Sequence, residues 1–455
     1  MNFYKTISKV VIIINILFFW IIFNPTISGG PDELYQYNQA LNGVFGDWYP
    51  PLMSIITNWI ISIKLPFSCI TFVQCALFFF GIMYLIEKIS YLIVCKKNRD
   101  LIQFITILFM ISPISPLPYK TMYWSIDTWF TISFIYLIIN SLDLYQLIKK
   151  NNRTYYFKIY LISFISAFSM NLRYNAVFLA FPICSFIYFI TNKRLDNYKR
   201  ILLSTLPLVM FLSINFGISK HYKIKKDYHF NFIMLLDTIG LIVDNPNLVD
   251  EFPYVSSILE PYYREFYMFG NVAPLMNLNP IIVKINNQTI RKSNPKLMEE
   301  YKKMIFDYPI KFIIVKIKSW FNLIKINGYK AEVYISKNSF LGMPQNKLFE
   351  NLRSFIHKVD HHIISKMISI KYTIRGNTIW FFVNILFILQ VIMNQKLSMD
   401  NKIMYLSLLM FPFFYYLSYI AANPGGGHRY VYPSVMILQI YFLVVFLKKL
   451  FRLND

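Results

Sequence analysis

The chain has 455 residues, of which 56% are hydrophobic and 15% are charged, and its formal net charge is +23. Soluble domains carry more charge, about a quarter of their residues, so the composition excludes an ordinary soluble protein. In a membrane protein the excess of Lys and Arg indicates inner-face anchors and affinity for anionic lipid or phosphate, and we expect no nucleic-acid partner. Apolar runs of about 17 to 23 residues recur along the chain, each long enough to cross a bilayer as a helix. The sequence therefore predicts an all-α polytopic membrane protein.

The first predicted span covers about residues 7–23. Lys5 and Lys9 precede it, so the positive-inside rule places the N-terminus in the cytoplasm. Residues 24–66 then form the first outer loop, in which Lys64 is the only basic residue.

Two short helices are predicted in this outer loop. The first runs from Asp32 to Leu41, because Pro31 suits a first helical turn and the two acids Asp32 and Glu33 favour the positive end of the helix dipole. The second covers residues 51–63, where polar residues interrupt the apolar pattern, as in a helix lying at the membrane interface.

Nine further spans follow, which gives about ten in all and places both termini in the cytoplasm. Their approximate bounds are 67–86, 101–117, 126–148, 157–172, 176–191, 201–219, 377–394, 402–421 and 430–447. Residues 220–376 interrupt the alternation, because they are polar, Lys-rich and much longer than the other loops. We assign them to a large outer domain between an N-terminal membrane module, 1–219, and a C-terminal one, 377–455. Within the outer domain we expect a helix from Asn294 to Asp307, and a second at 310–326 that lies on the membrane.

This topology places a set of polar residues together on the outer side, at or near the ends of helices. Charges near membrane depth are costly and mark a functional site or an ion pair. Several on one face predict a shared site that contains both acids and bases. The residues are Asp32, Glu33, Asp47, Lys120, Asp127, Arg173, His428 and Arg429.

The early acidic loop carries a family resemblance. An apolar helix, then Asp32-Glu33, then Asp47-Trp48-Tyr49-Pro50-Pro51 resembles the GT-C superfamily of polyprenyl-phosphate-sugar glycosyltransferases, although many members have His where Tyr49 stands. Three later motifs are similar to those of bacterial relatives: Leu172-Arg173-Tyr174-Asn175, Asp307-Tyr308-Pro309 and His428-Arg429-Tyr430. The size, span count and Ile/Asn/Lys-rich composition also resemble the serotype-converting O-antigen glucosyltransferases of enteric bacteria and their phages.

The resemblance implies a GT-C fold in the bacterial inner membrane with an extracytoplasmic active site. It implies transfer of a sugar, by an inverting single displacement, from an undecaprenyl-phosphate carrier to lipopolysaccharide, O-antigen or a related envelope glycan. Such a transfer needs a base for the acceptor hydroxyl, and we assign it to Asp32, with Glu33 or Asp47 positioning the acceptor or a divalent cation. The alternative for Asp32 and Glu33 is a purely structural role at the helix N-terminus.

The departing lipid phosphate must also be stabilised, which suits cations and backbone N–H groups. Four residues are predicted to do this: Lys120, Arg173, His428 and Arg429. Three of them have a structural alternative. Arg173 would pair with an acid such as Asp127, Lys120 would lie at the interface, and Arg429 would extend to lipid headgroups beside the flexible turn 425–427.

Other functions stay open at this stage. A lipid or polysaccharide transporter or flippase would show paired repeats and charges at the bilayer midplane, which the sequence does not favour. An O-antigen polymerase would share the outer loop and arginines but would leave the early acid pair unexplained. The spacing of His357, Asp360 and His361 could present three metal ligands on one helix face, but without a further ligand we expect a solvated helix and assign no metal residues.

Overall fold

The computed structural model describes residues 2–23, 31–112, 125–192, 194–259, 292–325, 377–421 and 431–452, and positions 351, 352, 355 and 358. In these residues every regular element is a helix, and the one β contact is an isolated parallel bridge between Gly46 and Lys225. The prediction of an all-α protein is confirmed for this part of the chain. Six of its helices are long and apolar enough to cross a membrane, as expected of a multi-pass membrane protein.

The described residues contain sixteen α-helices. In chain order they are α1 (Asn2–Phe23), α2 (Pro31–Asn42), α3 (Leu52–Ser62), α4 (Phe67–Ile93), α5 (Arg99–Ile111), α6 (Ile126–Lys149), α7 (Tyr155–Leu172), α8 (Ala180–Ile190), α9 (Asn197–His221), α10 (Phe230–Asp244), α11 (Pro253–Leu259), α12 (Pro295–Asp307), α13 (Pro309–Lys325), α14 (Asn377–Met393), α15 (Met399–Ala421) and α16 (Tyr432–Arg452). Two 3-10 segments, Tyr174–Leu179 and Pro246–Glu251, precede α8 and α11.

Helices occupy all ten predicted spans, but they are not equally long. The six that meet the membrane-spanning criterion are α1, α4, α6, α9, α15 and α16. The other four predicted spans contain α5, α7, α8 with its 3-10 turn, and α14, which are shorter or less apolar. The count of ten spans and the likeness to the GT-C fold therefore stay predictions.

Contacts between helices join ends that the topology places on the same side. At the predicted inner side, Lys5 Nζ lies 3.2 Å from Glu87 Oε1, whereas at the other end of the same two helices Trp20 donates to the carbonyl of Ser68 at 2.8 Å. The helices α1 and α4 are therefore antiparallel. On the inner side, too, Asp143 of α6 pairs with Lys88 of α4 and with Lys158 of α7.

The main core lies between these helices and is rich in aromatic rings. Phe130 of α6 stacks on Tyr415 of α15 with ring centroids 4.8 Å apart. Gly81 lets α4 approach α6 closely, because a Cβ atom at this position would lie 3.1 Å from Ile135 and 3.2 Å from Tyr136. Packing of this kind replaces the hydrophobic effect as the main attraction between helices in lipid.

A second, smaller core lies in the predicted outer domain. It is formed by α10, α11, α12 and α13 around buried residues such as Phe252, Leu297 and Met304. The helix predicted from Asn294 to Asp307 is confirmed as α12, and the Asn294 side chain accepts a hydrogen bond from the Leu297 N–H at 3.1 Å as an N-cap.

The helix predicted at 310–326 forms as α13, but it packs against α15 instead of lying apart from the bundle on the membrane surface. Lys316 Nζ donates to the carbonyl of Ala421 at 3.1 Å, and Trp320 donates to the carbonyl of Tyr416 at 2.9 Å, so α13 runs antiparallel to α15 for more than a turn. Two lysines of this helix pair with acids of α10: Lys316 Nζ lies 2.5 Å from Asp237 Oδ2, and Lys318 Nζ lies 2.6 Å from Asp244 Oδ2. Neutralisation by acids of α10 lets this helix enter the bundle.

The sidedness of this arrangement can be measured by cysteine labelling. In a variant with Cys69, Cys75 and Cys184 replaced by Ser, the exposed native Cys95 reports on the predicted inner side. A second, fully cysteine-free background with Asn42→Cys reports on the outer side. We expect a membrane-impermeant maleimide to label Asn42→Cys in cells with a permeabilised outer membrane, and to label Cys95 only after lysis. The opposite pattern would contradict the topology.

A candidate outer site beside the first loop

The predicted acidic helix forms as α2, which begins at Pro31. Asp32 and Glu33 lie in its first turn, where the positive end of the helix dipole favours an anion. The backbone of Asp32 is described, whereas its side chain lies outside the described part of the structure, and the side chain of Glu33 is half-buried. Both the catalytic and the structural role of these two acids are compatible with this placement.

A segment that links α9 to α10, residues 222–229, crosses the first outer loop and is called here the outer strap. Its Lys225 N–H donates to the Phe45 carbonyl at 2.8 Å, and the Asp47 N–H donates to the Lys225 carbonyl at 3.0 Å. The carboxylate of Asp47 accepts the Asp227 N–H at 2.5 Å. Asp47 is therefore engaged through both its backbone and its side chain, and it fastens the first outer loop to the outer strap.

Asp227 extends this attachment to α2. Its carboxylate is buried, with 3% of the residue exposed, and accepts a hydrogen bond of 2.6 Å from the hydroxyl of Tyr35. Tyr35 lies one turn after Asp32, so this hydrogen bond fixes the helix that carries the acid pair. A glycine is required at position 46, because a Cβ atom there would lie 2.1 Å from Asp227 Oδ2 and 2.9 Å from the Tyr35 hydroxyl.

An aromatic pair closes the other side of the Asp47 segment. The Tyr174 hydroxyl donates to the Asp47 carbonyl at 2.7 Å, and its ring stacks on the His229 imidazole with centroids 4.3 Å apart and planes 2° apart. Burial lowers the pKa of His229 below its ordinary value, although the Asp47 carboxylate and a hydrogen bond to the Asp47 backbone oppose this shift. Burial therefore favours the neutral form of the His229 imidazole.

Arg173, next to Tyr174, forms an ion pair with Asp127 in the first turn of α6. The side chains are 12% and 14% exposed, and Arg173 also donates to the Tyr419 hydroxyl at 3.3 Å. The neighbouring Asn175 donates to Ser418 at 3.1 Å. The motif Leu172-Arg173-Tyr174-Asn175 thus ties together the outer ends of α6, α7 and α15, and it includes the acid pairing that the structural alternative for Arg173 predicted.

The structure therefore brings two of the predicted regions together. Asp47 in the acidic loop is in contact with Tyr174, whose neighbour Arg173 holds Asp127. The remaining predicted site residues, Lys120, His428 and Arg429, lie outside the described residues, as do His357, Asp360 and His361.

The sequence did not point to three residues that contact Asp47 or its neighbours in this site, namely Tyr35, Asp227 and His229. Asp227 and His229 belong to the polar stretch after residue 220, in which no motif was recognised. A signal did exist, because two potentially charged side chains follow the end of the predicted span 201–219 by only eight and ten positions.

A metal site is not formed by the described residues, which contain no group of three His, Cys, Asp or Glu side chains close enough to hold an ion. The divalent cation therefore stays a prediction that concerns the acid pair and its undescribed surroundings.

No protein-family model matches the chain, and no curated protein and no solved structure matches it either.

Gly46→Ala tests the attachment between the acidic loop and the outer strap. The added methyl group collides with buried Asp227, so we expect a loss of about 1–3 kcal/mol in the free energy of unfolding. Thermal unfolding of the detergent-solubilised protein measures it. Gly217→Ala is the matched control, because its Cβ meets nothing within 4 Å in a helix interior and should leave stability unchanged or slightly raised. Equal unfolding temperatures for Gly46→Ala and the wild type would contradict the attachment.

A double-mutant cycle tests the ion pair between Asp127 and Arg173. Arg173→Gln leaves a mostly buried carboxylate unpaired and should cost about 3–5 kcal/mol, whereas adding Asp127→Asn should recover much of that loss. The control is Lys199→Gln, which breaks the exposed pair with Asp196 and should have no measurable effect. Additive losses in the double variant would show that the two residues do not act as a pair.

Proposed function

We propose that the chain is a GT-C-type glycosyltransferase that moves a sugar from an undecaprenyl-phosphate carrier to an envelope glycan. The acceptor is lipopolysaccharide, O-antigen or a related glycan on the outer face of the bacterial inner membrane. Asp32 is the general base, Glu33 and Asp47 support the acid loop, and both termini are cytoplasmic.

One observation supports this proposal most: the hydrogen bond between Tyr174 and Asp47. It joins the early acid loop to the motif that contains Arg173, two regions that a shared active site requires to be neighbours. A glycosyl transfer needs a carboxylate near the acceptor and cations near the leaving phosphate. The acids Asp32 and Glu33 in α2 and the cation Arg173 at the end of α7 belong to one hydrogen-bonded unit.

The fixed position of α2 supports the assignment of Asp32. A general base acts only when it is held within hydrogen-bond reach of the acceptor hydroxyl. The hydrogen bond between Tyr35 and buried Asp227 restrains α2 one turn from Asp32. Asp47 and Asp227 themselves are held in the attachment, which suits a supporting role better than proton transfer.

The charges of the described residues also favour an enzyme over a transporter. Asp127–Arg173 lies at outer helix ends, and the cluster around Asp143 lies at inner ends. A transporter would place such groups at interrupted helices near the midplane.

Asp32→Asn tests the proposed function in cells. This change keeps the shape of the side chain and removes the base, so glycan modification should fall by about 100-fold or more. Mass spectrometry of purified lipopolysaccharide measures the modification, and the missing mass identifies the sugar. Asp250→Asn is the control, because Asp250 is an exposed acid of the outer domain and its loss should leave modification unchanged. Full modification by Asp32→Asn at normal protein level would refute the assigned base.

A further inference from the structure

The outer end of α15, residues 415–421, is in contact with two largely buried cations from distant parts of the chain. Arg173, which follows α7, donates to the Tyr419 hydroxyl at 3.3 Å. Lys316 of α13 donates to the carbonyl of Ala421, the last residue of the helix, at 3.1 Å. Because Tyr419 and Ala421 are only two positions apart, this helix end connects the candidate site with the predicted outer domain.

Lys316 belongs to a buried polar group formed by three helices of the outer domain. Its Nζ lies 2.5 Å from Asp237 Oδ2 of α10, and the two side chains are 8% and 7% exposed. The Tyr301 hydroxyl of α12 donates to the same carboxylate oxygen at 3.2 Å. Asp237 therefore holds the Lys316 ammonium group in place, and the ammonium group brings its charge to the negative end of the α15 dipole.

The hydrogen bond to Ala421 meets a general need of helix ends. The last carbonyls of a helix have no partner within the helix, and an unpaired polar group in an apolar bundle is costly. Lys316 supplies the donor from a different helix. About one turn away, Trp320 of α13 donates to the carbonyl of Tyr416 at 2.9 Å. The depth of α13 beside α15 is therefore set by hydrogen bonds as well as by apolar packing.

The chemistry of this buried group indicates more than a contribution to stability. Apolar side chains of similar size would fill the same space, and such replacements of buried ion pairs are often neutral or stabilising. Apolar contacts are non-directional, so they would also tolerate a shift of α13 along α15. The ion pair between Lys316 and Asp237, with its hydrogen bond to Ala421, instead defines one position of the two helices.

We propose that Lys316 is a positioning residue, which fixes the outer end of α15 and through it the Arg173 guanidinium. Tyr419 transmits the position, because it is 1% exposed and its hydroxyl lies 2.8 Å from that of Tyr415 as well as in contact with Arg173. The inference rests on the proposed function for the role of Arg173 beside the leaving phosphate. It assigns to the outer domain the task of holding that cation in place for the transfer.

An apolar replacement of the buried group separates positioning from stability. The variant combines Asp237→Leu, Tyr301→Phe and Lys316→Met, so that none of the three side chains leaves a partner unpaired. We expect its unfolding temperature in detergent to equal or exceed that of the wild type. The kcat for sugar transfer should fall about tenfold while the KM for the lipid-linked donor stays within about twofold, because a displaced cation affects the departing phosphate more than ground-state binding.

Amide hydrogen exchange of residues 416–421 tests the position of α15 without any transfer reaction. Loss of the Lys316 hydrogen bond should loosen the last turn of the helix and accelerate exchange there about tenfold. The matched control is Lys318→Met with Asp244→Leu, which removes a more exposed ion pair between the same two helices, α13 and α10. This control should leave both kcat and the exchange of α15 unchanged.

The outcomes separate the positioning role from the proposed function. Wild-type kcat and wild-type exchange in the folded apolar variant would overturn the positioning role and leave sugar transfer untouched. An equal loss of kcat in the control variant would overturn it too. Faster exchange in the apolar variant, in a protein whose wild type transfers no sugar to any glycan, would support the hold on α15 and refute the glycosyltransferase. If the apolar variant does not fold, Lys316→Gln with Asp237→Asn provides the same comparison with a neutral pair.

Discussion

The structure depends on the hydrogen bonds between the first outer loop and the outer strap. Residues 45–47 and 225–227 exchange backbone hydrogen bonds, and the Asp47 carboxylate adds a third contact. These groups lie at the predicted outer end of an apolar bundle, where an unpaired polar group is energetically costly. Their pairing fixes α2, α9 and the start of the outer domain relative to one another. The acid pair, the Arg173 motif and the outer end of α9 are neighbours because of this attachment.

The cost of an unpaired polar group in an apolar bundle also explains why several charged residues here have partners. Arg173 lies with Asp127, Lys316 lies with Asp237, and buried Asp227 accepts from Tyr35. A carboxylate or a cation that is removed from water requires a partner, and each partner restrains the position of its helix. An active site benefits from this rigidity, because catalysis depends on the position of its groups before the substrate arrives.

Local features were predictable from the sequence, and long-range ones were not. The helices α2 and α12 follow from Pro31, the first-turn acids and the Asn294 cap, all of which act within a few residues. The six long apolar helices of the described residues follow from the lengths of their apolar runs. The hydrogen bond between Tyr35 and Asp227 joins residues 192 positions apart, and no periodicity predicts it. The position of α13 was not predicted for a related reason. Its ion pairs Lys316–Asp237 and Lys318–Asp244 join residues that are far apart in the chain.

The candidate site shows the same division. The sequence identified Asp47 and Arg173 from their types and positions, and it offered the pairing of Arg173 with Asp127 as an alternative. It did not distinguish the supporting role of Asp47 from a catalytic one, because that difference lies in the contacts of Asp47 with the outer strap.

The most direct measurement is donor turnover by the purified protein in proteoliposomes. Undecaprenyl-phosphate hexoses with a radiolabelled sugar would be supplied together with lipopolysaccharide from a strain that lacks the protein. If the chain is the proposed glycosyltransferase, label moves from the lipid to the glycan fraction while undecaprenyl phosphate accumulates in equal amount. Label that stays on the carrier with every hexose and every envelope glycan offered would contradict the account.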